Sequence, residues 1–372
     1  MRDNLLSKIK LKLTDNISWS KKEGMIIASP SYDPPYVFHW IRDSSLVMKA
    51  IIDIYLKNKF GKYFKLIINY LENEFNIQKL ETISGLGEPK FNINCSPYND
   101  PWGRPQNDGP ALRGLNMIKI YYHFESHYNN INLNLVKPIL MNDLNYLIEN
   151  YNKVCFDLWE EIQGWHFYTR LVQFKFFKEF LVLNKKYKIV DEIKENKINK
   201  IINDIKSGLM HHKSNNLIIS SFDSKGNIIR WEDASIILGL CHIDYDIEIL
   251  EIFKVDSFIN VCKNLINVFK EKYKDSKNLI GRYKNDKYYD GQTWFICSLA
   301  ICQFYYYLFN IDCKKYFSNF ILAKQVTNFI TSLDDNLDLD EQYNPDTNQQ
   351  ISAKKLTWNY TELYFTFKIL KE

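Results

Sequence analysis

Helical periodicity is the feature that most limits how this sequence can fold. Apolar residues recur at three- and four-residue spacing along most of the 372-residue chain, which places them on one face of a helix. The predicted helices cover residues 44–58, 61–76, 110–124, 134–151, 165–184, 190–210, 231–242, 245–272, 291–310, 312–332 and 352–370. An opening amphipathic segment, with Leu5, Leu6, Ile9 and Leu13 on one side, adds another. The pattern therefore predicts roughly eleven or twelve helices and an all-α protein.

Strand-like alternation is scarce, and "LIISSFD" at 217–223 is the best candidate for a short strand. No linker rich in proline, glycine or serine divides the chain, and the polar run 184–206 is typical of a solvated helix face. Hydrophobic residues make up 46% of the sequence, enough for a sizeable core. We therefore predict a single domain over residues 1–372.

Charge and cysteine usage exclude several functional classes. The net charge is only +4, from 48 basic and 44 acidic residues, which argues against a nucleic-acid partner. The N-terminus lacks the apolar core of a signal peptide, and no stretch approaches about 20 consecutive apolar residues. These features predict a soluble, intracellular protein with no membrane partner. The seven cysteines show no CxxC spacing and do not cluster with histidines, which predicts reduced, mostly buried thiols and no zinc site.

The residues with chemical potential concentrate in segments that read as loops. Glycine and proline gather in "SGLGEPKF" (84–91) and "PWGRPQNDGP" (101–110), where they signal turns between helices. Arginines, carboxylates and tryptophans gather in and around the same places. The segments that stand out are 36–43, 84–113, 156–165, 281–295 and 340–358. Loops on a rigid helical scaffold often carry an active site, so we expect one here.

Taken in order from about residue 15 to residue 365, these segments resemble the glucoamylases of glycoside hydrolase family 15. The most specific matches are "WGRPQNDGPALR", "DLWEE" and "GRYKNDKYYDGQTWF". The resemblance implies an (α/α)6 barrel of six inner and six outer helices, with the active site at one end. It also implies an inverting, exo-acting hydrolase that releases β-D-glucose from non-reducing ends of α-1,4-glucans, including glycogen, starch-derived dextrins and maltooligosaccharides, and that cleaves α-1,6 links more slowly. No metal or cofactor is implied.

Inverting hydrolysis requires two carboxyl groups, about 6.5–9.5 Å apart, one as general acid and one as general base. The resemblance assigns Glu160 as the acid and Glu341 as the base. From the residues alone, Glu160 and Glu161 could instead be acidic residues at a helix start. Asp340 competes with Glu341 for the role of base. The spacing to Ser352, which reads as the N-cap of the last helix, favours Glu341.

The resemblance also implies a set of substrate-binding residues. Arg42 and Asp43 match a pair that holds the 4- and 6-hydroxyls of the terminal glucose, although a local ion pair at a helix start is the alternative. The remaining polar contacts implied are Glu161 just beyond the cleavage point with Asp157 as its support, and Arg282 with Asp286 as its support. The implied aromatic wall consists of Tyr36, Trp40, Trp102, Trp159 and Trp294, since flat rings can cover the C–H faces of a sugar.

Other features bear on substrate choice. The sequence ends at Glu372 directly after the last predicted helix, so we expect no starch-binding module and activity on soluble glucans. We also expect a monomer. Trp165 and His166 are bulkier than the small residues expected after the acid loop, which leaves the shape of the outer subsites open. Two alternatives stay open: a relative that acts on trehalose or dextran, and a non-catalytic carbohydrate-binding regulatory domain. The second should have lost one of the two carboxylates, yet both are present.

Overall fold

The structure is a computed structural model that describes residues 2–18, 22–124 and 131–370. Within those ranges it contains thirteen α-helices. In chain order they are α1 (Arg2–Ser18), α2 (Ile41–Asn58), α3 (Gly61–Ile77), α4 (Gly109–Phe124), α5 (Lys137–Asn150), α6 (Phe167–Tyr187), α7 (Glu192–Met210), α8 (Ser235–His242), α9 (Ile247–Phe253), α10 (Val255–Lys272), α11 (Phe295–Ile311), α12 (Phe317–Ser332) and α13 (Thr357–Ile369). A π-helical turn at Asn132–Val136 precedes α5.

Six of these helices form a closed inner ring. Helices α2, α4, α6, α8, α11 and α13 each pack against the next, and α13 returns to α2. A second set packs outside them: α3 on α2, α5 on α4, α7 on α6, α10 on α8, α12 on α11 and α1 on α13. The short α9 packs against α10. This arrangement is the predicted (α/α)6 barrel, and it confirms the all-α fold class.

The two rings differ in how their sequences are buried. Along α11, "FICSLAICQFYYYLFNI", thirteen residues from Phe295 to Leu308 are buried, on every side of the helix. Along α10, the buried residues fall on one stripe from Ser257 to Phe269, while charged residues face outward. A helix that is apolar all round must be covered all round, whereas a striped helix can face solvent. The core therefore lies between the rings and within the inner one.

Across the described residues, eleven short strands form four small antiparallel sheets. They are β1 (Phe38–Trp40) with β2 (Lys90–Asn92); β3 (Cys155–Phe156), β4 (Gln163–His166), β7 (Ser221–Phe222) and β8 (Ile228–Arg230); β5 (Lys213–Ser214) with β6 (Leu217–Ile218); and β9 (Thr293–Trp294), β10 (Gln342–Asn344) and β11 (Gln349–Ile351). Strands β1, β4 and β9 run directly into the inner helices α2, α6 and α11. These sheets fix the segments that enter the inner ring.

Several predicted boundaries are wrong, mostly where loops enter helices. The predicted helix 245–272 is divided at Lys254, whose φ of 64° ends α9 before α10 begins. Residues 293–294 form β9 rather than the start of α11. The predicted strand 217–223 is two strands, β6 and β7, in different sheets. Apolar spacing continues through these entry segments because they are also buried, so periodicity alone does not mark the ends.

A buried ionic network joins the first strand to three helices. The Arg113 guanidinium of α4 donates to Glu74 of α3 at 2.8 Å and to Asp143 of α5 at 2.6 Å. His39 of β1 accepts a hydrogen bond at Nδ1 from the Ile26 amide, so its Nε2 donates to Glu74 at 2.8 Å. These four side chains are at most 1% exposed. Each buried charge thus has a partner of opposite charge or a hydrogen-bond donor.

All seven cysteines are free thiols, six of them buried and Cys313 exposed. This matches the expectation of reduced, mostly buried thiols. None of the helices in the described part of the chain is long and apolar enough to cross a bilayer.

Candidate active site

A cavity of about 380 Å³ opens where the inner helices begin. The segments that precede α2, α4, α6, α11 and α13 all contribute to its lining. The predicted site residues that line it are Tyr36, Trp40, Arg42, Asp43, Trp102, Trp159, Glu160, Glu161, Arg282, Trp294 and Glu341. Residues more than 300 positions apart in the sequence are thus brought together. Asp157 and Asp286 are the two predicted residues that do not line the cavity.

Glu160 lies in a tight turn between β3 and β4 and does not begin a helix. One oxygen of the Asp157 side chain accepts hydrogen bonds from the amides of Glu161 at 2.8 Å and Ile162 at 3.0 Å. The backbone of Glu160 is left-handed, with a φ of 67°, which a non-glycine residue adopts only when its surroundings hold it there. Asp157 therefore shapes the turn from behind the cavity, and the turn aims the Glu160 side chain inward.

Both oxygens of the Glu160 carboxylate are held by donors. Oε1 accepts from the Trp40 indole at 2.7 Å and from the Gln106 amide at 3.0 Å, and the Arg42 guanidinium lies 3.5 Å away. Among the described residues, the one hydrogen bond to Oε2 comes from the Trp102 indole, at 2.9 Å. Because each carboxylate oxygen can accept two hydrogen bonds, Oε2 keeps one acceptor position open.

Glu341 lies deep in the site, with only 1% of its surface exposed. The Ser352 hydroxyl donates to its Oε2 at 2.5 Å, and Gln342 contacts the same oxygen at 3.4 Å. Burial raises the pKa of the Glu341 carboxyl, and the hydrogen bonds from Ser352 and Tyr36 partly counteract that rise. Ser352 is thus a partner of Glu341. It is not the N-cap of the last helix, which begins at Thr357 after Leu356.

Arg42 and Asp43 stand at the first turn of α2, both almost fully buried. Their charged groups lie 3.5 Å apart, and Arg42 also donates to Gln106 at 2.8 Å and to Asp108 at 3.3 Å. Burial raises the pKa of Asp43 to about 6, against the opposing effect of Arg42. Arg42 Nε and Asp43 Oδ2 have no hydrogen-bond partner in the described part of the chain. The pair is therefore more than a surface ion pair.

Arg282 and Glu161 form a second charged group across the cavity. Arg282 is bidentate to Asp286, at 2.6 and 2.8 Å, and also donates to Glu161 at 2.6 Å. The second Glu161 oxygen accepts from Arg230 at 3.0 Å and from the Tyr283 hydroxyl at 2.5 Å. Asp286 is buried behind Arg282, which explains why it does not line the cavity. Three hydrogen bonds therefore hold the Arg282 guanidinium in one orientation.

The tryptophans line the walls between these charges. The rings of Trp159 and Trp294 lie 5.7 Å apart, centroid to centroid, and the Arg282 guanidinium lies over both. The Trp159 indole donates to Asp233 at 2.9 Å, whereas the Trp294 N–H is buried without a partner among the described residues. Trp102, at 37% exposed, lies at the mouth.

The segment before the remaining inner helix, α8, was not among those predicted to carry the site. There Arg230 contacts Asp157 at 2.8 Å, Glu161 at 3.0 Å and Asp233 at 3.2 Å. Asp233 is fully buried, and burial raises its pKa. A signal was present: "IRWED" before α8 combines an arginine, an indole and carboxylates as "HWIRD" does before α2. Gln106, Tyr288 and Trp358, also near the cavity, carried no such signal.

Trp165 and His166 are not among the residues that line this cavity. The Arg170 guanidinium covers the Trp165 ring at 4.7 Å. His166 is buried between the Cys155 carbonyl and the Ser221 hydroxyl, both at 2.9 Å. They form the C-terminal end of β4, where this strand pairs with β7.

A closed barrel of paired helices, with arginines, indoles and two carboxylates from different segments at one end of its axis, is the architecture of an (α/α)6 glycoside hydrolase. The sequence profile of Glycosyl hydrolases family 15 matches residues 10–315. The chain therefore belongs to glycosyl hydrolases family 15.

Individual relatives agree with this assignment. Glucoamylase-1 of Arthroderma benhamiae is 41% identical over 175 residues, which cover 43% of this chain and 28% of that protein. An intracellular, sporulation-specific glucoamylase of Saccharomyces cerevisiae is 24% identical over 94% of this chain and 79% of its own length. The solved structure of a glucoamylase from Saccharomycopsis fibuligera superposes with a TM-score of 0.85 at 22% identity, covering all of this chain and 96% of that one. The last comparison shows the shared fold.

Proposed function

We propose that this protein is an inverting, exo-acting glucan 1,4-α-glucosidase that releases β-D-glucose from the non-reducing ends of soluble α-glucans. The glucosidase class follows from family membership and from the glucoamylase relatives, and inversion is general for the family. One observation carries the assignment of residues: Glu160 and Glu341, from distant segments, line the same cavity with separate sets of hydrogen-bond partners.

Glu160 acts as the general acid. Its Oε1 is occupied by Trp40 and Gln106, so Oε2 is the oxygen with a position for the transferable proton. That proton passes to the glycosidic oxygen as the bond from this oxygen to C1 of the terminal glucose breaks. The Trp102 donor at Oε2 then stabilises the carboxylate that is left behind.

Glu341 acts as the general base. Its carboxylate removes a proton from a water molecule while the water oxygen bonds to C1 on the opposite face of the sugar, which inverts the anomeric centre. Burial raises the pKa of this carboxyl, which favours proton acceptance. Ser352 and Tyr36 orient the carboxylate, and their hydrogen bonds favour its ionised form against the effect of burial on its pKa.

The charged groups on each side of the catalytic pair hold the substrate. Arg42 and Asp43 bind the hydroxyls of the terminal glucose, using Arg42 Nε and Asp43 Oδ2, which donate or accept no hydrogen bond among the described residues. Glu161 and Arg282, held by Arg230 and Asp286, bind hydroxyls next to the cleaved bond. The rings of Tyr36, Trp40, Trp102, Trp159 and Trp294 cover the C–H faces.

We further propose that the protein works as a monomer inside the cell. The intracellular assignment is supported by the similarity to the intracellular, sporulation-specific glucoamylase of Saccharomyces cerevisiae. Glycogen-like glucans and maltooligosaccharides are the corresponding substrates. Initial rates on maltose, trehalose and isomaltose test substrate choice, and maltose should be the fastest of the three.

Purified protein incubated with maltotriose, with the anomeric proton signals followed by NMR, tests the reaction. β-Glucose should appear first and then mutarotate, whereas initial release of α-glucose would contradict the inverting assignment.

Glu160→Gln and Glu341→Gln should each lower kcat by at least about a hundredfold, because each removes one of two proton transfers. Glu72→Gln, an exposed position on α3, is the matched control and should keep full activity. Saccharide binding without turnover by the unaltered protein would favour the carbohydrate-binding alternative.

A further inference from the structure

Lys90 lies at the centre of a closed circle of four aromatic rings. Its ammonium nitrogen is 3.1 Å from the centroid of Trp102, 4.1 Å from Tyr98, 4.4 Å from Phe38 and 4.7 Å from Trp40. The rings also contact one another in sequence around it, with centroid separations of 5.1 to 6.3 Å. We call these four rings the Lys90 cage.

The cage is built by strand pairing. Lys90 in β2 is the direct cross-strand partner of Trp40 in β1, and Phe38 lies two residues earlier on the same face. Tyr98 and Trp102 come from the loop that follows β2. Lys90 is only 1% exposed. Within the described residues its ammonium has no ion pair and no hydrogen-bond partner, so the ring faces are its counter-charge.

Two of the four cage rings are the indoles that donate to Glu160. Trp40 reaches Oε1 and Trp102 reaches Oε2. A cation over an indole face attracts the ring and fixes its plane, and the N–H lies in that plane. Moving the ammonium would therefore let both donors turn away from the carboxylate.

We propose that Lys90 is a positioning residue for the general acid: its buried charge fixes the Trp40 and Trp102 indoles as the two donors to Glu160. This inference rests on the proposed function of Glu160. A buried lysine is costly unless its charge is compensated, and a methionine of similar length would fill the same space without that cost. A charge kept here despite that cost points to a role beyond packing.

The electrostatic surroundings of Lys90 are consistent with this role. Burial lowers its pKa to about 8, while the field of Glu160 opposes that effect. Arg104, Asp100 and Glu88 are the other charged groups that act on it. Lys90 is therefore charged at neutral pH and favours the ionised state of carboxyl groups near it.

The test compares Lys90→Met, Lys90→Arg and Lys79→Met. Lys79 also lies over a single ring, Phe75 at 3.6 Å, but it is exposed in the turn that follows α3 and serves as the control. On maltotriose, Lys90→Met should lower kcat about tenfold or more, with less than about a threefold change in KM, because the donors act on the proton transfer. The alkaline limb of kcat/KM should move to higher pH, since a cation is lost beside the acid. In Lys90→Arg the alkaline limb of kcat/KM should stay at the same pH. Lys79→Met should leave kcat, KM and this limb unchanged.

A thermal unfolding series separates positioning from packing. Lys90→Met should keep or raise the melting temperature while it loses kcat. Unchanged kcat and an unmoved limb in a folded Lys90→Met protein would overturn the proposal, and so would a fall in melting temperature with normal kinetics.

Tryptophan fluorescence gives a readout that does not depend on activity. The unaltered protein should show a change in emission with a midpoint near pH 8, and both Lys90 variants should lack it. If the unaltered protein fails to hydrolyse any glucan, the proposed function fails while this titration still tests the cage. Identical titrations in the unaltered protein and Lys90→Met would refute the cage as a charge contact.

Discussion

At the scale of single residues, the ionisation of Glu341 depends on a serine. Replacing Ser352 by alanine removes a donor that counteracts the effect of burial, so the pKa of Glu341 should rise further. The proposed role of Glu341 as the base requires it to be deprotonated, so the acid limb of kcat/KM should move to higher pH by about half a unit to one unit. Ser332→Ala, whose hydroxyl bonds to a carbonyl on the outer helix α12, is the control. An acid limb unchanged in Ser352→Ala would contradict this account of the base.

Asp43 should make the protein less stable as the pH rises. Its pKa is about 6 in the folded state and 3.8 as the reference, so between those values the unfolded chain loses its proton first and unfolding is favoured. Asp43→Asn lacks this penalty. The free energy of unfolding of the variant, relative to the unaltered protein, should therefore rise by about 2 kcal/mol between pH 4 and pH 7 in urea titrations.

Asp53→Asn is the control of opposite sign. Burial opposes ionisation of Asp53, but hydrogen bonds from Lys368 and Tyr364 outweigh it and lower the pKa to about 2. That stabilising contribution is nearly complete at pH 4 and is lost only at lower pH. The free energy of unfolding of Asp53→Asn, relative to the unaltered protein, should therefore change by less than about 0.5 kcal/mol between pH 4 and pH 7. If the relative free energy of unfolding changed with pH to the same extent in Asp43→Asn and Asp53→Asn, Asp43 would not be the source of the loss of stability with rising pH.

The sequence identified residues whose motif is distinctive and missed those whose role depends on a distant partner. Arg42, Glu160 and Trp102 lie in sequence motifs that allow few interpretations other than a site residue. Ser352 was interpreted as a helix cap because a serine before a helix usually is one. The pairing of β10 with β11 places Glu341 beside it instead. Arg230 acts through contacts more than 65 residues away, at Asp157 and Glu161, which no local pattern contains.

At the scale of elements, the turn that carries Glu160 packs directly against the loop that carries Trp102. A Cβ added at Gly103 would lie 2.7 Å from the Glu160 carbonyl oxygen and 2.8 Å from the Phe156 ring. Gly103→Ala should therefore separate the two segments, lowering kcat/KM about tenfold or more and stability by about 1–3 kcal/mol. Steady-state kinetics and urea unfolding would measure both.

Gly61→Ala provides the matched control for that substitution. It opens α3, and an added Cβ meets nothing within 4 Å. This variant should keep full activity and be as stable as the unaltered protein or slightly more so, because alanine narrows the unfolded ensemble. Near-normal kcat/KM in Gly103→Ala would show that the contact between the two loops does not position the acid.

The segments that enter the inner helices were the least predictable elements. They are buried like helices and short like turns, and two of them, β1 and β9, pair as strands with segments far away in the sequence. The pairing of β1 with β2 spans about 50 residues and that of β9 with β10 about 50. Local propensity and spacing do not contain that information, since short strands are stabilised by their cross-strand neighbours.

At the scale of the whole molecule, the buried Arg113 network holds one side of the barrel together. Arg113→Met would leave the carboxylates of Glu74 and Asp143 buried without a cation, and should lower the free energy of unfolding by about 3–5 kcal/mol. Lys65→Met, at an exposed pair with Glu23 in which both side chains are 69% exposed, should cost less than about 1 kcal/mol. Equal losses in urea unfolding would mean that the network contributes no more than a surface pair.

The number and approximate extent of the helices follow from the sequence, because each apolar stripe fixes a face that must be covered. Which helix covers which face does not follow. The stripe of α10 and the fully apolar α11 indicate an outer and an inner position, but periodicity does not show that α13 meets α2 and closes the ring. The barrel was expected only through the family resemblance of its loops.

Closure of the ring by its last helix has a consequence for synthesis on the ribosome. Helix α13 packs against both α11 and α2, and Thr357 at its start accepts a hydrogen bond from Asn16 of α1. Until this segment emerges, the nascent chain has an open ring whose first inner helix lacks a neighbour, with Glu341 absent for most of that time. The chain therefore acquires its proposed base, its closed core and the packing partner of its opening helix almost together. A chain that stalls earlier should expose apolar surface and lack activity.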